Sequence, residues 1–358
     1  MAETEGGGKR LTGRRQFLAG LAVLPLGLAG CQFVKSESAS PSTAADTTTF
    51  PVNVQHAFGT TTVSREPKRI ATIGLGSNDI CVALGVAPVA MPLSGAQPNG
   101  STPWFDFAFR AFGLESPLLL DETKGVPVDD LAGMGPDLIL AVNSKLTRSE
   151  YEELSKIAPV IAYPDGPLAT DWRTSLALVG SALGRTAVAA RVLAETETSI
   201  RAGLGDYPDL AGTGFLATRV SSALGADFEV FGENSNPVRI LKEFGLQPSP
   251  SLTLVKQAGR PVNAAANGAE TYAWPQGNAA ELASDIAVFS VSHDEAPEIM
   301  SSGVLEAVPA HRAGNSVIAD SADNGLALDT ASCLSVKWLA RTMLPELARA
   351  AHGAAHAG

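Results

Sequence analysis

The chain has 358 residues, 45% of them apolar, and a formal net charge of −11. That acidity excludes charge-driven binding to nucleic acid or anionic lipid, and the length suits two domains. Three cysteines, Cys31, Cys81 and Cys333, stand in no metal-type spacing; Cys81 and Cys333 are expected as buried free thiols, although an oxidising compartment would permit a bridge.

The first thirty residues read as an export signal. Arg14 and Arg15 in "GRRQFLAG" form a twin-arginine pattern. The apolar run 17–30 has 14 residues, short of the roughly 20 that a spanning helix needs, so it is an h-region and not a membrane span. It closes on Leu28-Ala29-Gly30-Cys31, small residues ahead of a cysteine, which resembles a lipobox. Residues 1–30 are therefore expected to be removed and Cys31 to carry a lipid, which anchors without spanning. The signal holds a net +2, so −11 becomes −13 in the remainder. Residues 31–50, rich in Ser, Thr, Ala and Pro, are expected to be a flexible tether.

The folded body opens with a strand over 69–74, "RIATIG", followed by a helix over "SNDICVALG" with Ser77 as N-cap. "VAPVAMP" is a second strand. Pro136 breaks the chain ahead of a buried strand over 137–142. "TRSEYEELSKIAP" is a helix whose Thr147 and Glu150 form a capping box, and "PVIAYP" is one more strand. This alternation implies a mostly parallel sheet with helices on both faces, the N-terminal α/β lobe of residues 51–170.

From 171 to 204 the spacing predicts one helix of 34 residues. Asp171 caps it, no proline interrupts it, and Leu176, Val179 and Leu183 share a face. At about 1.5 Å per residue it would be a rod of roughly 50 Å. Gly180 and Gly184 would each cost about 1 kcal/mol in such a helix, so they are expected to mark close packing. Residues 205–350 then repeat the first half: strands in "TGFLATRV" and "ADFEVFG", a helix in "SNPVRILKEFGLQPS", strands in "SDIAVFSVS" and "NSVIAD", and a closing helix in "ASCLSVKWLARTMLPELARAA". Residues 351–358 are expected to be a loose tail. Two α/β lobes on one rod would leave a cleft between them.

"HAFGTTTVSREPKRIATIG", "ALGVAPV", "PDLILA", "YEELSKIAPVIAYP" and "DWRTSLALVGSALGR" resemble, in order, the iron-siderophore-binding lipoproteins of ABC importers. The resemblance covers residues 50–350, most densely 56–185. It implies a class III periplasmic-binding fold: two Rossmann-like α/β lobes with central sheets, joined by one long backbone helix. It implies a membrane-anchored, extracytoplasmic, monomeric receptor that captures a ferric siderophore and delivers it to an ABC permease, with no chemistry, no catalytic residue and no cofactor of its own.

Candidate cleft residues follow from strand ends, where α/β lobes bind ligands. Arg219 ends "FLATRV" and could meet chelate oxygens or a surface carboxylate. Trp104, Tyr272 and Trp274 are either ligand platforms or core plugs; Trp172 and Trp338 read as packing. Ser77 and Asn78 follow the first strand, and Asn143, Ser144 and Lys145 follow "LILAV". The resemblance places one permease-docking acid at Asp129, and a second at Gly277 or Asn278, where no acid stands; Glu270 and Glu281 are near.

Other readings compete. Gly74-Leu75-Gly76 raises an exported dinucleotide-dependent oxidoreductase, but the third glycine of that fingerprint falls on Asp79. A free divalent-metal receptor would need convergent His, Asp or Glu ligands. His293 in "SHDE" is the one suggestive cluster among five histidines. Haem or a corrinoid would suit the same kind of cleft.

Overall fold

The computed structural model describes residues 49–356 apart from 95, 96, 115, 224 and 263–270. Arg14, Arg15, Cys31 and the tether through residue 48 lie outside the described residues.

A hairpin precedes the first expected strand. β1 (Val52–His56) and β2 (Gly59–Val63) pair antiparallel. Buried and exposed residues alternate along both, because one face of the hairpin meets the lobe and the other meets water. His56 Nε2 lies 2.8 Å from Thr61 Oγ1, and Thr61 Oγ1 donates to the Val160 carbonyl at 2.8 Å. The second bond ties the hairpin to the lobe across a hundred residues of sequence.

The N-terminal sheet holds β3 (Ile70–Thr72), β4 (Ala90–Pro92), β5 (Leu118–Leu120), β6 (Leu138–Ala141) and β7 (Val160–Ala162), all parallel, in the order β5-β4-β3-β6-β7. β3, β6 and β7 are buried along their whole length, as parallel strands covered on both faces must be. The order reverses between β3 and β6, and such a switch point opens a crevice at the strands' C-terminal ends. Gly74, just past β3, makes the crossing there possible. Its φ is +74°, and a Cβ would come within 2.5 Å of Ser144 Cβ.

The C-terminal sheet departs from the expected parallel pattern. It holds β8 (Gly214–Val220), β9 (Phe228–Phe231), β10 (Gln247–Pro248), β11 (Arg260–Pro261), β12 (Thr271–Trp274), β13 (Ile286–Val291) and β14 (Ser316–Asp320). The main order is β11-β12-β9-β8-β13-β14, with β10 beside the start of β8. β8, β13 and β14 are parallel, but β9 and β12 run against their neighbours. β9 follows β8 through a short loop with no helix, and a parallel return needs a crossover of a dozen or more residues.

The expected 34-residue rod is two helices, Trp172–Ala182 and Thr186–Gly205. Gly184, at φ +66°, ends the first. Its N–H donates to Ser181 O at 3.1 Å, and that of Arg185 to Gly180 O at 2.7 Å. That pair of bonds is a Schellman stop, so Gly184 terminates a helix and does not interrupt one. Gly180 does mark close packing: a Cβ there would lie 2.7 Å from Ala189 Cβ on the second helix. The first helix packs on β1 and on the Ser77–Ala83 helix of the N-terminal lobe; the second runs on to the C-terminal lobe. The spine is thus a 20-residue helix, about 30 Å long.

The closing helix is also divided, into Cys333–Thr342 and Leu344–His356. Pro345 cannot donate to the preceding turn and forces the break. The expected loose tail belongs to the second piece through His356: Ala351 is buried, and Gly353 packs against Asn315.

The Cys333–Thr342 helix brings the chain back to the N-terminal lobe, where it packs on the spine and on the Ser77–Ala83 helix. Asp79 sits at this junction, fully buried. It accepts from Trp104 Nε1 at 2.7 Å, Ser332 Oγ at 2.5 Å and, on its other oxygen, Asn78 Nδ2 at 3.1 Å. Burial raises its pKa to about 6, although the Ser332 and Trp104 bonds pull the other way. Cys81 and Cys333 are free and buried beside it. Burial raises both thiols, Cys333 to about 12.

A second contact joins the lobes at the first spine segment. Trp172, wholly buried, donates its indole N–H to Glu243 of the C-terminal lobe at 3.1 Å. Arg173 lies over the same ring at 4.3 Å and pairs with Glu243 and Glu197.

Candidate functional site

A cleft of about 1060 Å³ opens between the lobes. Its N-terminal wall is built at the strand ends: Gly74 and Leu75 after β3, Leu93 after β4, Glu122 after β5, Ser144 and Lys145 after β6. The C-terminal wall is Arg219, Phe231, Asn236, Val262 and Asp329. A side chamber of about 490 Å³ shares Arg219, Val262 and Asp329 and continues past Asp227, Glu229, Arg260 and Glu295. The cleft exceeds most small-molecule pockets, which span roughly 300–1,000 Å³.

Arg219 is the residue common to both chambers that sequence reasoning singled out. It sits one position before the end of β8, half-exposed, between Asp329 Oδ2 at 3.1 Å and Glu229 Oε2 at 3.4 Å. Its guanidinium lies 5.0 Å above the Phe231 ring. Burial raises the Asp329 pKa, and the Arg219 charge opposes that shift.

On the facing wall Glu122 takes the Gly74 N–H on both oxygens at 3.1 Å. Burial pushes its pKa to about 7; the Gly74 bond works against this and the Glu150 charge adds to it. Glu150 completes the expected capping box on Thr147 and also lines the cleft. Burial opposes its charge, but the bonds from Thr147 and from the Val126 backbone outweigh that and hold its pKa below the ordinary carboxylate value.

Of the other expected cleft residues, Ser144 and Lys145 line the cleft and the rest lie elsewhere. Trp104 is buried, with its indole on Asp79 and its ring 6.1 Å from that of Trp338; it plugs the junction. Trp338 is half-buried and donates to Asp323 at 2.7 Å. Tyr272 and Trp274 belong to the second hydrophobic core, Trp274 donating to Asn278 O at 3.0 Å. Their neighbours Thr271 and Ala273 line the two chambers. A strand sends alternate residues to opposite faces, so this strand turns Thr271 and Ala273 toward the chambers and Tyr272 and Trp274 into the core.

Ser77 is buried and is the first residue of its helix, not the cap; Gly76 takes that place with no side-chain bond. Asn78 turns to Asp79. Asn143 is buried, while Ser144 and Lys145, expected with it, reach the cleft. Asp129 is exposed in the first turn of the Val128–Met134 helix, and Glu281, near the second register, is exposed at the end of a short turn of helix at Gln276–Glu281. His293 is exposed and pairs with Asp320 at 2.9 Å, which holds its pKa above the ordinary value. Among the described residues no three His, Cys, Asp or Glu side chains converge to hold a metal. Glu122, Phe231 and Asp329 escaped sequence reasoning. The first two sit at or just past strand ends, the rule that found Arg219; Asp329 lies near the end of the Asn324–Thr330 helix and gave no such signal.

The ferrichrome complex of PiaA from Streptococcus pneumoniae TIGR4 superposes with a TM-score of 0.73 at 24% identity, covering 84% of this chain and 99% of that one. A periplasmic solute-binding protein from Mycobacterium smegmatis gives 0.69 at 24%, over 84% and 99%. Staphylococcus aureus SirA complexed with staphyloferrin B gives 0.63 at 18%, over 82% and 98%. In sequence, the chain is 32% identical over 114 residues to YhfQ of Bacillus subtilis strain 168, named as a candidate ABC transporter substrate-binding lipoprotein. That match spans about a third of either chain, 31% of this one and 32% of YhfQ. The profile of the periplasmic binding protein family matches residues 70–249, half of the sequence, and the chain belongs to that family.

Proposed function

We propose that the protein is an extracytoplasmic, lipid-anchored receptor that captures a ferric siderophore in the inter-lobe cleft and delivers it to an ABC permease. The single observation that carries this reading is the cleft itself: large, open, walled by both lobes and sited at the N-terminal sheet's switch point. A ferric chelate brings its iron already coordinated, so a receptor needs shape and polar contacts, not metal ligands. The ligands named for PiaA and SirA, and the lipoprotein name of YhfQ, support the same reading. Cys31 is the proposed lipid attachment and Asp129 a proposed permease contact. In this role the protein binds and releases without catalysing a reaction.

Titrating ferrichrome and other ferric siderophores into the purified protein, followed by quenching of its four tryptophans, tests the proposal. At least one complex is expected to bind with a Kd on the order of 1 μM or tighter. No response from any ferric complex would overturn it.

A further inference from the structure

From its charge inventory we infer that the cleft is built for a ferric complex of zero or positive net charge, of the trishydroxamate kind, and disfavours anionic catecholate and citrate complexes. The inference rests on the reading of the cleft as a ferric-chelate site.

Three cations line the two chambers, and two of them are already engaged. Arg219 is held by both Glu229 and Asp329, and Arg260 lies 3.4 Å from Asp227. Lys145 is the lining cation with no ion pair among the described residues. Against it stand Glu122, Glu150 and Glu295, none paired with a cation among the described residues; Glu295 accepts only from Ser221 and Ser222, at 3.3 Å. Six carboxyls thus face three cations. Protonating Glu122 still leaves the carboxylates in excess. Within 49–356, the residues outside the described set include two acids, Glu115 and Glu270, and no base, so no cation from there can reverse the sign.

A site for a multiply charged anion presents cations free to pair with it, arginine forks above all. Here each arginine is already paired with the protein's own carboxylates, and turning one toward an anion would leave those carboxylates facing it uncompensated. The apolar surface points the same way. Among the described residues Phe231 is the one aromatic side chain lining either chamber, and Arg219 covers its face. Catecholate rings therefore find little to stack on. Leu75, Leu93, Val126, Leu146, Leu168 and Val262 instead offer aliphatic surface for flexible hydroxamate arms. Glu122 and Glu150 offer acceptors for amide N–H or ammonium groups.

The test is a binding panel on the wild-type protein. It comprises ferrichrome (uncharged), ferrioxamine B (a free ammonium), ferric citrate and ferric enterobactin (a trianion). The first two are expected to bind at least about a hundredfold more tightly than the last two. The double variant E150Q/E295Q adds a charge-specific readout; glutamine preserves the capping box at position 150. It should weaken ferrioxamine B about fivefold more than it weakens ferrichrome. Equal or tighter binding of either anionic complex would overturn the inference and leave the receptor reading standing. So would a ferrichrome shift as large as that of ferrioxamine B. If no ferric complex binds, both fall together.

Discussion

Asp79 lies where the Cys333–Thr342 helix packs on the N-terminal lobe, Arg219 lies on the cleft wall, and the two charges are met in opposite ways. Asp79 is fully buried and surrounded by neutral donors from three segments: the Trp104 indole, the Ser332 hydroxyl and the Asn78 amide. Arg219 is half-exposed between two carboxylates and over a ring. A buried charge held by a few fixed donors has no substitute if one moves, because water cannot reach it. An ion pair at a wet wall can open cheaply, since solvent takes over its bonds. The junction is therefore built to be stiff, and the cleft wall to adapt to what enters it.

The largest effect is expected at the stiff end. Trp104→Ala removes a buried indole and one of the donors to Asp79, and should cost about 4 kcal/mol in urea unfolding. Trp104→Phe keeps most of the ring volume but still strips the donor, and should cost about 2 kcal/mol. Neither touches the cleft, so ferrichrome affinity of the folded W104F protein should stay within about twofold. A tenfold loss there would return the indole to the ligand site and dissolve the contrast between the two regions.

The pH dependence of stability sharpens the same contrast. Asp79 has a folded pKa of about 6 against an ordinary 3.8. The folded chain therefore holds a proton that the unfolded chain has lost between these values. Its contribution is fully present below the ordinary value and disappears as pH rises through about 6. At about 1.4 kcal/mol per pH unit, that is a loss of about 3 kcal/mol between roughly pH 4 and pH 6. Asp79→Asn should flatten this part of the profile. A variant whose stability falls as steeply as the wild type's would assign the slope to another group. Glu122, raised to about 7, adds a fall of the same sign that continues to higher pH and survives in D79N.

Local signals are legible in the sequence, and distant ones are not. The Thr147–Glu150 capping box needs only four residues to be seen. Arg219 follows from a strand end, which a short apolar run reveals. Gly184 misleads because one letter serves both a tolerated helical glycine and a left-handed stop, and only φ separates them. Tyr272 and Trp274 sit in a strand buried at all four positions, so no polar alternation marks which parity faces the cleft. Asp329, 110 residues beyond Arg219, and Ser332, 253 beyond Asp79, give no signal at all. What the chain brings together from afar decides both the junction and the cleft, and a single sequence carries no record of it.

The smallest effect is expected at Arg219, the arginine that the strand-end rule proposes for binding. Removing its guanidinium frees Glu229 to face water and leaves Asp329, about a third exposed, without a cation. Burial already works against the charged form of Asp329, and water can reach the carboxylate once the guanidinium is gone. Arg219→Ala should therefore cost less than about 1 kcal/mol of stability and weaken ferrichrome less than about threefold. A tenfold or greater loss of ferrichrome would mean that the guanidinium holds the ligand directly. The charge on the cleft wall would then be as rigidly held as the one at Asp79, and an adaptable wall would no longer describe it.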